Sequence, residues 1–189
     1  MTAITNTTRN GIDVAQVYGT LDAIAADPSL ARFEFRVSNR WITGTHSRST
    51  IQGFHGAGQE DASREQPFVV DASEPPVLLG HNEAPNPAEL LMHALAGCLT
   101  LTIVNVAAAR KVTLTEVTSR LEGELDARGA LGLDDSFRNG FHRLSVAFTV
   151  RGEASPEKLQ EIVERAKARS VVYDIVTNGV AVDVTAEVG

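Results

Sequence analysis

From Leu90 to Ala109 the chain carries no Asp, Glu, Lys or Arg over 20 consecutive residues. The run follows a clear helix start. Asn86 is a favoured N-cap, Pro87 suits the first helical position where its missing N–H is no loss, and Glu89 lies in the first turn near the positive end of the dipole. A helix with no charged face is expected to run through the protein's interior. A membrane span is the competing reading of such a run. His93, Gly97, Thr100, Thr102 and Asn105 interrupt it, no Lys/Arg cluster flanks it, and the rest of the chain is polar and acidic, so a buried helix of a soluble protein is the expectation.

The 189 residues suffice for one domain with a fair core plus an appended segment. A net charge of −7 and a pI near 5.2, without a basic stripe, exclude an electrostatic footprint for nucleic acid or anionic lipid. Partners are then expected among small molecules or a second copy of the chain, with no membrane. No charged n-region followed by an apolar h-region opens the sequence, which reads as unexported and cytoplasmic. A single cysteine, Cys98, excludes an intramolecular disulfide and a multi-thiolate zinc cage. The five histidines, His46, His55, His81, His93 and His142, lack ligand spacing, so neither a metal nor another cofactor is expected.

Residues 1–9 are Thr- and Asn-rich and expected to be disordered. Ile12, Val14, Val17, Tyr18, Leu21, Ile24 and Ala25 fall at spacings of three and four and predict an amphipathic helix closing before Pro28. At Phe33, Phe35 and Val37 the period changes to two, predicting a strand that runs through Trp41 to a turn at Gly44, with Trp41 packed on the sheet. Thr45–Phe54 predicts the returning strand, with His46, Arg48 and Thr50 on one face. Residues 53–66 read as a loop and Pro67–Ala72 as a short strand. Alternation from Val117 to Leu125 and from Leu144 to Val150 predicts a strand pair joined by a long loop at 129–140. Ser155-Pro156 starts an amphipathic helix reaching about Arg169. Ser170–Asn178 fits either a helical turn or extended chain, and Val180, Val182 and Val184 alternate as a terminal strand. The order predicts an α+β fold, antiparallel sheet packed on helices.

On an ideal helix Cys98 shares its face with Leu91, Ala94, Leu95, Leu101, Thr102 and Asn105. Such neighbours alone would leave an inert core cysteine. A reactive thiolate is expected to need a cation from another element, and the strand face with His46 and Arg48 is the candidate. His81 and Glu83, in the loop before the central helix, could flank a pocket mouth, but solvated loop residues are the commoner outcome. Glu161 and Glu164 with Arg165, Lys167 and Arg169 read as an ordinary solvated helix face.

The segments NPAELLMHALAGCLT and AKARSVVYDIVTNGV resemble the two helix motifs of the OsmC/Ohr superfamily, thiol peroxidases that reduce organic hydroperoxides. The resemblance runs from Phe33 to Val188 in element order, which sets residues 1–30 apart as an N-terminal extension carrying the amphipathic helix and 31–189 as the OsmC-like domain. It implies an intertwined homodimer, antiparallel sheets wrapped around long buried central helices, with an active site at each subunit interface. There a first cysteine attacks the peroxide, an arginine from the first hairpin and a glutamate at the helix start hold thiolate and substrate, and a second cysteine resolves the sulfenic acid before dithiol reductants regenerate the site. Carried onto this chain, the first cysteine is Cys98. The second falls on Ser170, followed by Val171 where the family has proline. The glutamate falls on Ala88, with Glu89 one residue later, and the arginine falls near His46, with Arg48 two residues on. The expectation is a one-cysteine reduction of organic hydroperoxides, with Cys98, Arg48 and His46 catalytic, Glu89, Ser170, Leu95 and Thr102 lining the substrate pocket, and an external thiol or dithiol as reductant. The competing expectation is a non-catalytic OsmC-like binder of small apolar ligands, with Cys98 a core residue.

Overall fold

A computed structural model describes residues 8–189, which form two compact units, one built on Asp13–Leu91 and the other on Met92–Gly189 together with Arg9–Ile12. The disorder expected over residues 1–9 lies outside the described residues for 1–7. It is corrected at Thr8–Arg9 (β1), which pairs with Ile12–Asp13 (β2). Asn10 and Gly11, at φ 52° and 79°, make the turn between them, the Asn-Gly signature of a tight hairpin. Asn10 then donates from Nδ2 to Val112 O at 3.0 Å and accepts from Leu114 N at 2.9 Å.

In the first unit the expected N-terminal helix is α1, Val14–Ala26, capped by the Asp13 carboxylate on Ala15 N and Gln16 N. None of its residues is buried, so its apolar stripe contributes no core. The single strand expected from Phe33 to Gly44 is two: β3, Glu34–Phe35, and β4, Ser38–Thr43, which belong to different sheets. Trp41 does not pack on the sheet but is largely exposed, its Nε1 closing the turn on Gly44 O at 2.9 Å. The return strand is β5, His46–Ile51, and the expected loop beyond it contains a tight hairpin of β6, Phe54–Gly56, and β7, Gln59–Asp61. Its turn holds Ala57 at φ 51° beside Gly58 at φ 80°. A non-glycine residue is uncommon there, which is why this hairpin was not legible as one. Phe68–Ala72 is β8, and the sheets are ordered β3-β6-β7 and β4-β5-β8.

Between β8 and the central helix the chain folds tightly onto itself. Ser73 N donates to Pro85 O, Asn82 N to Glu74 O and Gly80 N to Pro75 O, all within 3.2 Å. Gly80 lies so close to Glu74 that a Cβ there would sit 1.7 Å from its carbonyl oxygen, a backbone clash that no rotamer relieves. Gly80→Ala is therefore expected to lower stability by about 1–3 kcal/mol, read from the urea midpoint of the otherwise unchanged chain.

The uncharged run lies in α2, Pro87–Ala109, which begins at the Asn86-Pro87 start read from sequence and ends where the run ends. Asn86 and Glu89 make a reciprocal capping box: Glu89 N donates to Asn86 Oδ1 at 2.9 Å, and Asn86 N donates to Glu89 Oε2 at 2.8 Å. In the second unit Ile103, Val106 and Ala107 of α2 form the core with Val112, Ile162 and Ala166. Leu114–Glu124 (β9) and Arg143–Gly152 (β10) pair antiparallel, and Val117, Phe148 and Val150 pack against that core. The connection, expected to be all loop, contains a short helix, α3, Ala127–Ala130. Ser155 caps α4, Pro156–Lys167, whose Ile162 and Ala166 are fully buried. The ambiguous segment is helical: α5, Val171–Asn178, with Ser170 as its N-cap. The expected terminal strand is not formed. Residues 179–189 join no ladder, and Val180, Val182 and Val184 are 66%, 74% and 87% exposed.

Water touches more of α2 than the charge-free sequence suggests. Leu95, Leu99 and Ile103 are buried, but Leu91 and Leu101 stand exposed, as do His93 and Asn105. The chain by itself covers one side of the helix.

Candidate functional site

Cys98 lies in the middle of α2 and is half-buried. Ser170, from the break between α4 and α5, is 2% exposed and donates its hydroxyl to Cys98 Sγ at 3.1 Å. The direction of that proton follows from the cap. Ser170 Oγ accepts the Tyr173 N–H at 3.3 Å, as an N-cap oxygen does, so its hydroxyl hydrogen is free to point at the sulfur. The N-terminal end of α5 thus faces the thiol.

Burial pushes the Cys98 thiol up, but the Ser170 hydroxyl, the Val172 and Val171 N–H groups and, last, the Thr102 hydroxyl pull it down, and the balance lies below its ordinary value. Thr102 Oγ1 donates to the Cys98 carbonyl oxygen at 2.7 Å, so we assign the effect to Ser170 and the helix end. A thiolate is favoured at a helix N-terminus, where N–H groups and the dipole stabilise negative charge. The expectation that only a cation could lower this thiol is therefore corrected: neutral donors do so. The signal was in the sequence, since serine is a preferred N-cap, but Val171-Val172 obscured the helix it caps.

Of the expected pocket residues, Leu95 is 3% exposed and forms core, whereas Leu99, one residue beyond Cys98, opens on a cleft. That cleft, of about 670 Å³, is lined by Ile103, Val146, Phe148, Leu159 and Tyr173 among others. Its walls combine apolar side chains from α2, β10 and α4 with Gln160, Glu164 and Lys167 of α4, and Cys98 is not among them.

In the first unit Arg48 and His46 share a face of β5, as alternation requires, and both reach one carboxylate that sequence reasoning missed. Asp71 of β8 lies directly opposite Arg48 in the ladder. Arg48 Nε donates to Asp71 Oδ1 at 2.7 Å and Nη2 to Oδ2 at 2.8 Å, a bidentate pair. His46 Nε2 sits 3.2 Å from Asp71 Oδ2, shielded from solvent and outside the alignment of a hydrogen bond. The Arg48 hydrogen bond, opposed by partial burial and aided by His46, holds the Asp71 carboxyl well below the usual carboxylate range, and Asp71 raises Arg48 in turn. A cross-strand partner depends on register, which the loops between β5 and β8 decide, so Asp71 had no local signal.

Glu89 is engaged by the capping box at Asn86. Glu83 accepts the hydroxyl of the buried Ser73 at 2.5 Å, which draws its carboxyl down, while His81 is 81% exposed at 3.7 Å from Glu83. The Ser73–Glu83 hydrogen bond ties the loop before α2, while His81 stands in solvent. Among the described residues no cluster of three or more His, Cys, Asp or Glu side chains could hold a metal ion.

Comparison with known proteins agrees with this architecture. The structure is similar to that of an OsmC-like protein from Mycoplasma pneumoniae, at 12% identity over 76% of this chain and 86% of that one, with a TM-score of 0.55. It is similar also to a Psychrobacter arcticus 273-4 protein described as an osmotic stress induced and detoxification response protein, at 17% identity, 76% and 88% coverage and a TM-score of 0.56. An OsmC-like protein of unknown function from Vibrio cholerae matches at 15% identity, 76% and 94% coverage and a TM-score of 0.52. No curated protein sequence matches the chain. The family model for OsmC-like proteins matches residues 80–185, more than half of the sequence and the part that holds α2, Cys98 and Ser170, so the chain belongs to the OsmC-like protein family.

Proposed function

We propose that the protein reduces organic hydroperoxides with Cys98 as its sole redox centre. The observation that carries this reading is the Ser170 hydroxyl on Cys98 Sγ at 3.1 Å, at the end of a helix whose N–H groups favour a thiolate. The thiolate attacks one peroxide oxygen: an S–O bond forms, the O–O bond breaks, and the departing alkoxide takes a proton and leaves as an alcohol. The resulting sulfenic acid condenses with an external thiol, losing water, and a second thiol releases Cys98 as a disulfide forms between the two reductants. Ser170 cannot take the part of the first reducing thiol, so the reductant comes from outside the chain.

The working assembly is an intertwined homodimer in the cytoplasm. The exposed side of α2, the two-stranded β9–β10 ladder and the unpaired alternating valines of the C-terminus support it, since each is a surface a second copy would cover. By the resemblance to the family, Arg48 with His46 beside it is the positive group for the peroxide, and an organic peroxide is the substrate. A second reading, a binder of small apolar molecules without chemistry, is favoured by the 670 Å³ cleft and by Ser170 at the resolving position.

The test is intact mass after brief exposure of the reduced protein to one equivalent of cumene hydroperoxide with a sulfenic-acid trap, with Cys98→Ser as control. The expected result is one trapped adduct on the wild type alone, formed faster than with hydrogen peroxide. A thiol unreactive until denaturant is added would leave the binding reading.

A further inference from the structure

We propose that the N-terminal extension is a strap: its hairpin tip, Arg9-Asn10-Gly11, locks the corner where α2 ends and β9 begins, and holds Lys111 there in a backbone conformation it would not keep alone. The inference is independent of the chemistry of Cys98. It gives a role to a segment that lies outside the matched residues 80–185. The hairpin tip and the corner it holds belong to one unit, the second.

α2 ends in a Schellman turn. Val112 N donates to Ala107 O at 2.9 Å and Lys111 N to Ala108 O at 3.1 Å, which puts Lys111 at the position where glycine is usual. Lys111 adopts φ 60°, a left-handed conformation that a residue with a Cβ keeps only where its surroundings enforce it. The helix also has no basic residue in its last turn, and Arg110, just beyond, is paired with Glu161.

The extension supplies what the corner lacks. The Arg9 guanidinium donates to Lys111 O and brings a cation to the negative end of the α2 dipole. Asn10 brackets the residues that follow: Nδ2 donates to Val112 O and Oδ1 accepts from Leu114 N. Thr113 O accepts the Glu153 N–H at 2.8 Å on the β10 side, so alternation turns Val112 O and Leu114 N to the other edge of the chain. The Asn10 amide stands in for a neighbouring strand at this one rung, where Val112 enters the core at 6% exposure. Asn10 itself sits at φ 52°, which asparagine tolerates better than most side chains, so one residue makes both the turn and the clamp.

The test is native-state hydrogen exchange on the full chain for wild type, Asn10→Gly, Lys111→Gly and the double variant. Glycine keeps the left-handed turn at position 10 and removes only the clamp. The expected result is exchange about tenfold faster at the Lys111 and Val112 amides in Asn10→Gly, with the α4 amides around Ile162 unchanged. Lys111→Gly takes the left-handed conformation without a Cβ, and in the double variant it is expected to recover most of the lost protection. Wild-type exchange at Lys111 and Val112 in Asn10→Gly would overturn the strap. So would an equal rise in α4, since the hairpin would then add only to global stability. A double variant exchanging as fast as Asn10→Gly would overturn the strain assigned to Lys111.

Discussion

Ser170→Cys converts Cys98 into one half of a disulfide: after one equivalent of cumene hydroperoxide the variant is expected to lose two hydrogens from its mass, where the wild type gains an oxygen. The basis is proximity. Ser170 Oγ lies 3.1 Å from Cys98 Sγ, and a disulfide needs about 2.05 Å between sulfurs, while a longer C–S bond at position 170 closes part of that gap. A neighbouring thiol also acts at an effective concentration far above any reductant in solution, so capture of the sulfenic acid should outrun external thiols. The consequence for reductant choice is large. Wild type should turn over with a monothiol, whereas the variant should depend on a dithiol such as dithiothreitol and be slowed at least tenfold with a monothiol alone. Loss of the serine cap on Tyr173 N should lower stability by about 1 kcal/mol. If the oxidised variant carries only sulfenic or sulfinic acid on one sulfur, the two positions do not meet in solution and the geometry proposed for the site fails.

The same residue shows where reading the sequence succeeded and where it stopped. α2 was legible in full, because a cap, a proline and a charge-free run are local signals that tertiary structure had no reason to override. Cys98 was legible through its place in that helix motif, and Ser170 was aligned to the resolving position. What could not be read was that Ser170 is an active donor to the sulfur. That depends on α5 forming at all, and Val171, Val172 and Ile175 suit a strand as well as a helix. Asp71 was invisible for a different reason. Its importance lies in facing Arg48, a pairing fixed by three connections whose lengths, and whose Ala57-Gly58 turn, carry no pattern of their own.

The terminal valines give the converse lesson. Alternation at Val180, Val182 and Val184 states that one side of an extended segment is apolar, not that the chain contains an edge for it. Within the chain this segment joins no ladder, and the β9–β10 pair ends at two strands. The pattern was read correctly as chemistry and wrongly as a formed strand. A segment of this kind has its apolar side covered only when another edge reaches it, which makes the C-terminus and α2 two aspects of the same incomplete burial.

Ser170→Ala should separate activation of the sulfur from simple structural support. In the wild type the hydroxyl donates to Sγ and so stabilises the thiolate; without it the thiol is pushed back up, and the pH–rate curve for alkylation by iodoacetamide should move to higher pH. A hydrogen bond to a charged group contributes roughly 1.5–3 kcal/mol, and the half-exposed position of Cys98 lowers that to about 1 kcal/mol, or roughly fivefold in rate at pH 7. At a pH above the thiol range the two rates should converge, because both proteins then present thiolate. Stability supplies a second readout with its own sign. A thiol held below its unfolded value stabilises the fold above that unfolded value, and the contribution disappears as pH falls through the folded one. The stability gap between wild type and Ser170→Ala should therefore widen from pH 7 to pH 9.5. The lost cap on Tyr173 N, about 1 kcal/mol, is the same at both. In a Cys98→Ser background only that constant cap loss should remain, measured by urea unfolding at the two pH values. A gap that stays flat with pH in the presence of Cys98, together with an unmoved alkylation profile, would reduce Ser170 to a helix cap and return the sulfur to the class of core thiols.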